Sequence, residues 1–195
     1  MQEADNVLRI LKETRSALEK NDTFNLRSLS NQTINTASLT QDPDNIAVAV
    51  IVYSLSKIME RLDYRQLPGW KKFYKNTLLY LDKSIQDIEN KDYAKFREDF
   101  RSIRGSVENL SGKWKKYVKE VLRNAEINKA SRIYEHGISM EQTARLLGIS
   151  QYELAEHAGK TGIPDVPENR TRDTKSRIKL AMEMFEWWKN LFYFL

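Results

Sequence analysis

Gly159, Lys160 and Thr161 form a short run whose residue types match the end of a phosphate-binding loop. Such a loop also needs a glycine five residues before its Gly-Lys pair and a β-strand ahead of it. Leu154 occupies the glycine position, and the apolar spacing around it predicts a helix. The run therefore does not indicate a nucleotide-binding site.

Side chains that commonly bind metals or act as nucleophiles are scarce. The chain has no cysteine and two histidines, His136 and His157. A thiolate site is thus excluded, and a metal site would have to rely on carboxylates. No Ser/His/Asp set and no closely spaced carboxylate cluster stands out. We expect the protein not to be an enzyme and to have neither a metal site nor a cofactor.

The stretch from Ser139 to Asp165 has the pattern of two short helices joined by a tight turn. Ser139 and Ser150 are suited to be N-caps, and a Gln or Glu three residues after each completes the pattern of a capping box. Gly148 between them can supply the turn. The stretch therefore predicts two capped helices that meet at a sharp angle.

The segment TARLLGISQYELAEHA resembles the helix-turn-helix of small bacterial and archaeal regulators and antitoxins. The corresponding residues are the alanine, the leucine-glycine turn and the serine-started second helix, here Ala144, Leu147, Gly148, Ser150 and Leu154. The resemblance covers about residues 134–164. It implies that the second helix enters the major groove of double-stranded DNA, with Gln151 and Tyr152 meeting base edges.

The charges of this module do not themselves attract DNA. Three glutamates between Ser139 and Ile163 oppose two basic residues, which leaves a net charge of −1. Affinity that is independent of sequence must come from Lys and Arg, and Lys113–Arg123 and Arg170–Lys179 each carry a net charge of +4. The predicted DNA contacts are therefore Arg145, Gln151, Tyr152 and Lys160 in the module, and Lys116, Lys119, Arg170, Arg172 and Lys175 on its flanks.

Arg132 and His136 lie four positions apart just before the module. An arginine-histidine pair is the catalytic signature of certain helical RNases of toxin systems, but more residues separate the two there. The spacing does not match, so no activity is inferred. His136 is better explained as a helix-end residue that the carbonyl dipole favours.

Apolar residues recur at helical spacing along almost the whole chain, and glycine and proline number 7 and 4 in 195 residues. The sequence therefore predicts an all-α fold. We expect an N-terminal helical bundle over residues 1–112 and a long connecting helix over 113–136. The helix-turn-helix would follow over 137–165, and a basic arm with an aromatic-rich C-terminal helix over 166–195.

The residue types of two segments predict how their helices pack in the bundle. Phe24–Ser38 is rich in Ser, Thr and Asn, which suits close helix packing or a polar groove better than a solvated face. Of the two we favour close packing. The run from Ile46 to Tyr53 is apolar throughout. The helix that starts at Asp42 and Pro43 should therefore be enclosed by neighbours on all sides.

The C-terminal residues KLAMEMFEWWKNLFYFL carry aromatic side chains around too much of a helix for one narrow stripe. Glu186, Lys189 and Asn190 interrupt them too often for a membrane span. Packing onto the bundle, a dimer contact and an interfacial membrane anchor all remain open. We favour self-packing or dimerisation, with Phe185, Trp188 and Phe192 as the interaction residues.

Neither a signal peptide nor a membrane-spanning run is recognisable. With the absence of cysteine, this predicts a soluble cytoplasmic protein. A net charge of +5 permits a polyanionic partner without requiring one. The hypothesis is a prokaryotic DNA-binding protein, specifically a transcriptional regulator that binds double-stranded DNA. The alternative is a protein-interaction adaptor or antitoxin-like partner, in which the helix-turn-helix and the C-terminal helix dock protein.

Overall fold

The computed structural model describes residues 1–106, 110 and 112–161. These residues form eight α-helices, one short 3-10 helix (Leu62–Gln66) and no β-strand, which confirms the predicted all-α fold. The helices are α1 (Ala4–Glu19), α2 (Thr23–Thr40), α3 (Pro43–Glu60), α4 (Trp70–Glu89), α5 (Tyr93–Gly105), α6 (Gly112–Glu135), α7 (Met140–Leu147) and α8 (Gln151–Thr161). The basic arm and aromatic-rich helix predicted over 166–195 lie outside the described residues.

Aspartate side chains cap three of the bundle helices. Asp22, Asp42 and Asp92 each accept a hydrogen bond, of 2.9 to 3.0 Å, from a backbone N–H in the first turn of the helix that follows. These bonds satisfy donors that have no partner inside the helix. Pro43 at the first position of α3 needs no such partner. The start predicted at Asp42 and Pro43 is confirmed.

The larger core includes the N-terminal half of the long helix α6. Val48 and Val52 of α3 and Val118 of α6 are fully buried in it. Trp114, at the start of α6, packs edge-on against Phe73 of α4, with 5.7 Å between the ring centroids. This half of α6 is therefore packed into the bundle.

Small polar residues allow α2 and α3 to pack closely. Ser30, Thr33 and Ser38 of α2 are buried. The Ser30 hydroxyl donates to the carbonyl oxygen of Ala49 in α3 at 2.7 Å, and the other two donate to carbonyls one turn back in α2. The expectation that the Ser- and Thr-rich segment packs closely is confirmed.

Helix α3 is enclosed on most sides, but not on all of them as the apolar run predicted. Ile46 and residues 48–52 are buried, whereas Ala47 is exposed and lines a cleft beside α5. The cleft exists because α5 packs mainly against α4. One side of α3 therefore faces open space.

A second, smaller core joins α7 to the bundle. Leu146 and Leu147 of α7 pack against buried residues of α2, α3 and α6 and of the link before α7, namely Ile34, Ala37, Ile46, Ala49, Ile133 and Ile138. A side-chain hydrogen bond from Gln142 of α7 to Gln41, at the end of α2, adds a polar contact. Helix α7 is therefore held against the bundle on its inner side.

Candidate functional site

Helices α7 and α8 pack with the C-terminal half of α6 around an apolar core of their own. We call these three elements the three-helix unit. Ala130, Ala144, Ile149 and Leu154 are buried there. Gly148 follows α7 with φ of 65° and ψ of 32°. Glycine adopts this left-handed conformation without steric cost. The turn predicted at this glycine is confirmed.

The two predicted capping boxes differ in completeness. The backbone N–H of Glu153 donates to the Ser150 hydroxyl at 3.1 Å, and the Glu153 carboxylate accepts from the Ser150 N–H at 2.9 Å. At α7 the Gln142 N–H donates to the Ser139 hydroxyl at 3.2 Å, but its side chain bonds Gln41 instead of closing the box. The box is therefore complete at α8 and half-formed at α7.

Arg123 of α6 forms an ion pair with the same Glu153 carboxylate and a second one with Glu126 at 3.0 Å. The hydrogen bonds from Ser150, followed by the one from Arg123, lower the pKa of Glu153 to about 2. Glu153 is therefore ionised at neutral pH, and its charge is opposed by a guanidinium. From the sequence, Glu153 is one of the three glutamates that give the module a net charge of −1, which disfavours phosphate. The structure shows it paired with Arg123.

The outward face of α8 is polar and nearly neutral. Gln151 and Tyr152 are exposed in its first turn, and the Tyr152 side chain is 77% accessible to solvent. Ala155 and Glu156, four residues further on, are exposed on the same side. The Lys160 ammonium pairs with Glu156 at 2.6 Å. Accessible polar and aromatic groups therefore lie at the N-terminal end of this face.

Lys116, Lys119 and Arg123 lie at helical spacing on one side of α6, and we call them the basic stripe. Both lysines are exposed. At a rise of about 1.5 Å per residue, Lys119 lies roughly 6 Å and Lys116 roughly 10 Å from Arg123 along the helix axis. Because Arg123 contacts Glu153, the stripe leads to the first turn of α8.

The structure thus brings part of the predicted site together. The basic stripe adjoins the end of α8 that carries Gln151 and Tyr152, and Arg145 is exposed in the last turn of α7. Lys160, also predicted, lies in the last turn of α8 and is paired with Glu156. The remaining predicted residues lie outside the described part of the chain, namely Arg170, Arg172, Lys175, Phe185, Trp188 and Phe192. Sequence reasoning did not single out Arg123. Its spacing from Lys119 was a visible signal, but its partner on α8 was not.

Comparisons of the chain with protein-family models, curated proteins and solved structures gave no match. Among the helices of the described residues, none combines the length and apolar composition needed to cross a membrane.

Proposed function

We propose that the protein is a cytoplasmic transcriptional regulator that binds double-stranded DNA, with α7 and α8 as its helix-turn-helix. In this proposal α8 enters the major groove, and Gln151 and Tyr152 contact base edges. The basic stripe contacts the phosphates beside the groove. The ion pair between Arg123 and Glu153 is the observation that carries the proposal.

This ion pair supports the proposal in two ways. It opposes the negative charge of the glutamate nearest the start of α8, so phosphates would meet less repulsion there. It also ties the basic stripe to the end of α8 that carries Gln151 and Tyr152. Cations on α6 for the DNA backbone then lie beside the end of α8 that carries polar groups for the bases, as recognition of a groove requires.

Further contacts complete the proposed complex. Arg145 is exposed at the end of α7, where it would contact a phosphate. Arg170, Arg172 and Lys175 would hold the backbone on the other flank of the module. Helix-turn-helix proteins commonly bind as dimers, and we assign the homodimer contact to the C-terminal aromatic residues, Phe185, Trp188 and Phe192.

The dependence of duplex binding on salt tests the role of the stripe. We expect a labelled duplex pool of random sequence to bind at low salt and to dissociate as KCl is raised, measured by fluorescence anisotropy. Replacing Lys116 and Lys119 by Gln should weaken binding to all sequences and reduce the slope of log K against log salt by about 2. Absence of binding at low salt would refute the proposal.

A matched control keeps the net charge equal. Lys71 and Lys72 are exposed on α4, which packs against α1 and α5. Their replacement by Gln removes the same two charges from a helix outside the three-helix unit. The control should retain the wild-type slope, and an equal loss in both double variants would show that overall charge, not the stripe, governs binding.

Sequence preference tests the proposed base contacts. Duplexes selected by the wild-type protein from a random pool should share a motif. Gln151→Ala and Tyr152→Ala should alter that motif, because each lost base contact removes about 1–3 kcal/mol of discrimination. Identical motifs for the wild type and both variants would contradict groove entry by this face.

Exposure of Tyr152 favours a second candidate function, docking of a protein partner. An accessible aromatic side chain on a nearly neutral face is typical of an interface anchor. In that case a pull-down at high salt should retain the partner, the Tyr152→Ala variant should lose it, and duplex DNA should not bind. Loss of the partner at high salt would instead indicate phosphate-like ionic contacts.

A further inference from the structure

The cleft beside α3 has the size and lining of a small-molecule site. Its volume is about 550 Å³, and it lies between α3 and α5, with α6 and α7 also contributing. Ligand pockets in proteins commonly enclose about 300–1,000 Å³. The apolar part of the lining includes Ile46, Val50, Ile51, Phe96, Phe100 and Leu147.

Three arginines of α5 line the cleft at helical spacing, Arg97, Arg101 and Arg104. Arg97 binds Asp44 of α3 through two nitrogens, with Nε 2.9 Å from Oδ1 and Nη2 2.8 Å from Oδ2. Arg104 binds Glu126 of α6 at 2.6 Å. The first and last arginines are therefore held by carboxylates on other helices that line the cleft.

Arg101, between them, has no carboxylate partner within residues 1–106, 110 and 112–160. Asp44 and Glu126, the two acidic residues of the lining, are already paired with Arg97 and Arg104. The charge that remains in the cleft is therefore positive. A guanidinium binds a carboxylate through two parallel hydrogen bonds, which makes it selective for that group.

We propose that the cleft binds an apolar monocarboxylate, whose carboxylate pairs with Arg101 and whose hydrocarbon body lies between α3 and α5. The apolar lining excludes a small hydrophilic anion as the best ligand, because such an ion would leave that lining unfilled. The positive rim disfavours an amphiphile with a cationic head. The proposal does not depend on DNA binding.

The position of the cleft links its ligand to the three-helix unit. Leu147, in the last turn of α7, lines the cleft and also packs against the core that contains Ala144 and Leu154. A bound hydrocarbon chain would add contacts to this turn. Amide hydrogen exchange in α7 should therefore slow when the ligand binds.

Isothermal titration calorimetry of the full chain with decanoate tests the site, with decanol and decyltrimethylammonium as neutral and cationic probes of equal chain length. We expect decanoate to bind and the other two to bind at least tenfold more weakly. Arg101→Gln should weaken decanoate binding about ten- to a hundredfold, as expected for loss of a charged hydrogen-bonding partner. Equal binding of decanoate and decanol would overturn the assignment.

Two further variants locate the bound probe. Ala47→Trp should fill the open side of the cleft and abolish decanoate binding without changing a charge. Arg9→Gln, at an exposed position of α1, should bind decanoate as the wild type does. Wild-type affinity in Ala47→Trp or in Arg101→Gln would overturn the proposal, as would decanoate binding that leaves hydrogen exchange in α7 unchanged. A wild-type protein that does not bind decanoate would overturn it directly.

Discussion

Lys129 of α6 is a buried cation without a carboxylate partner among the described residues. Its side chain is 1% exposed. The ammonium donates to Oδ1 of Asn31 at 3.0 Å and lies 4.3 Å from the centroid of the Tyr53 ring. Burial, followed by repulsion from Arg132, lowers the pKa of Lys129 from 10.5 to about 8. At neutral pH the charge on Lys129 therefore destabilises the folded protein.

The lowered pKa determines how stability changes with pH. In the unfolded chain Lys129 keeps its proton up to about pH 10.5, whereas in the folded protein it releases the proton near pH 8. Between these values Lys129 binds more protons in the unfolded state than in the folded state, so its contribution to the free energy of unfolding rises with pH. At about 1.4 kcal/mol per pKa unit, the full effect is roughly 3 kcal/mol.

Replacement of Lys129 by Met isolates this effect, because Met retains an apolar stem and has no titrating group. We expect the stability advantage of Lys129→Met over the wild type to be largest below pH 8. The advantage should shrink by roughly 3 kcal/mol as the pH approaches 10.5. Loss of the hydrogen bond to Asn31 costs about 1–3 kcal/mol and offsets the advantage at every pH.

Urea unfolding followed by circular dichroism at a series of pH values measures the difference. Lys71→Met, at an exposed position of α4, is the matched control and should track the wild type across the range. A difference between Lys129→Met and the wild type that stays constant with pH would refute the reasoning. It would mean that the buried ammonium keeps an ordinary pKa.

Three other changes test the three-helix unit. Leu154→Ala should lower the free energy of unfolding by about 2–5 kcal/mol, because the side chain is 0% exposed; unchanged urea stability would contradict that burial. Gly148→Ala adds a Cβ to a residue with a φ of 65° and should lower the free energy of unfolding by about 1 kcal/mol. Gly105→Ala, whose added Cβ would meet no atom within 4 Å, should not destabilise the protein in the same assay. Glu153→Gln should lower the melting temperature at neutral pH and converge with the wild type in acid. In the folded protein the Glu153 carboxylate has a pKa of about 2 instead of the ordinary 4.5. Its contribution to stability is therefore fully present above pH 4.5 and is lost as the pH falls toward 2.

Much of the helical framework was predictable because its signals are local. The capping box predicted from Ser150 and the glutamate three residues later is complete. The start of α3 at Asp42 and Pro43 and the left-handed turn at Gly148 also match. Each feature depends on residues within about one helical turn. DNA binding by the module stays a prediction, because helix ends do not specify a partner.

The predictions that were wrong or incomplete concern contacts between distant parts of the chain. Glu153 looked like a charge that repels phosphate, but Arg123, thirty residues earlier, pairs with it. Ala47 lies in an apolar run that predicted full enclosure, yet it borders the cleft because α5 packs mainly on α4.

The sequence by itself determined the helices, their caps and the turn at Gly148, since backbone geometry and hydrogen bonds to nearby residues are encoded over a few positions. Only the tertiary structure decided which charges are neutralised, which cation is buried and where the cleft opens. Lys129 lies within a segment rich in charged residues, and it is buried because α2 and α3 bring Asn31 and Tyr53 to it. Such contacts depend on how whole helices are placed, which no local pattern of residues records.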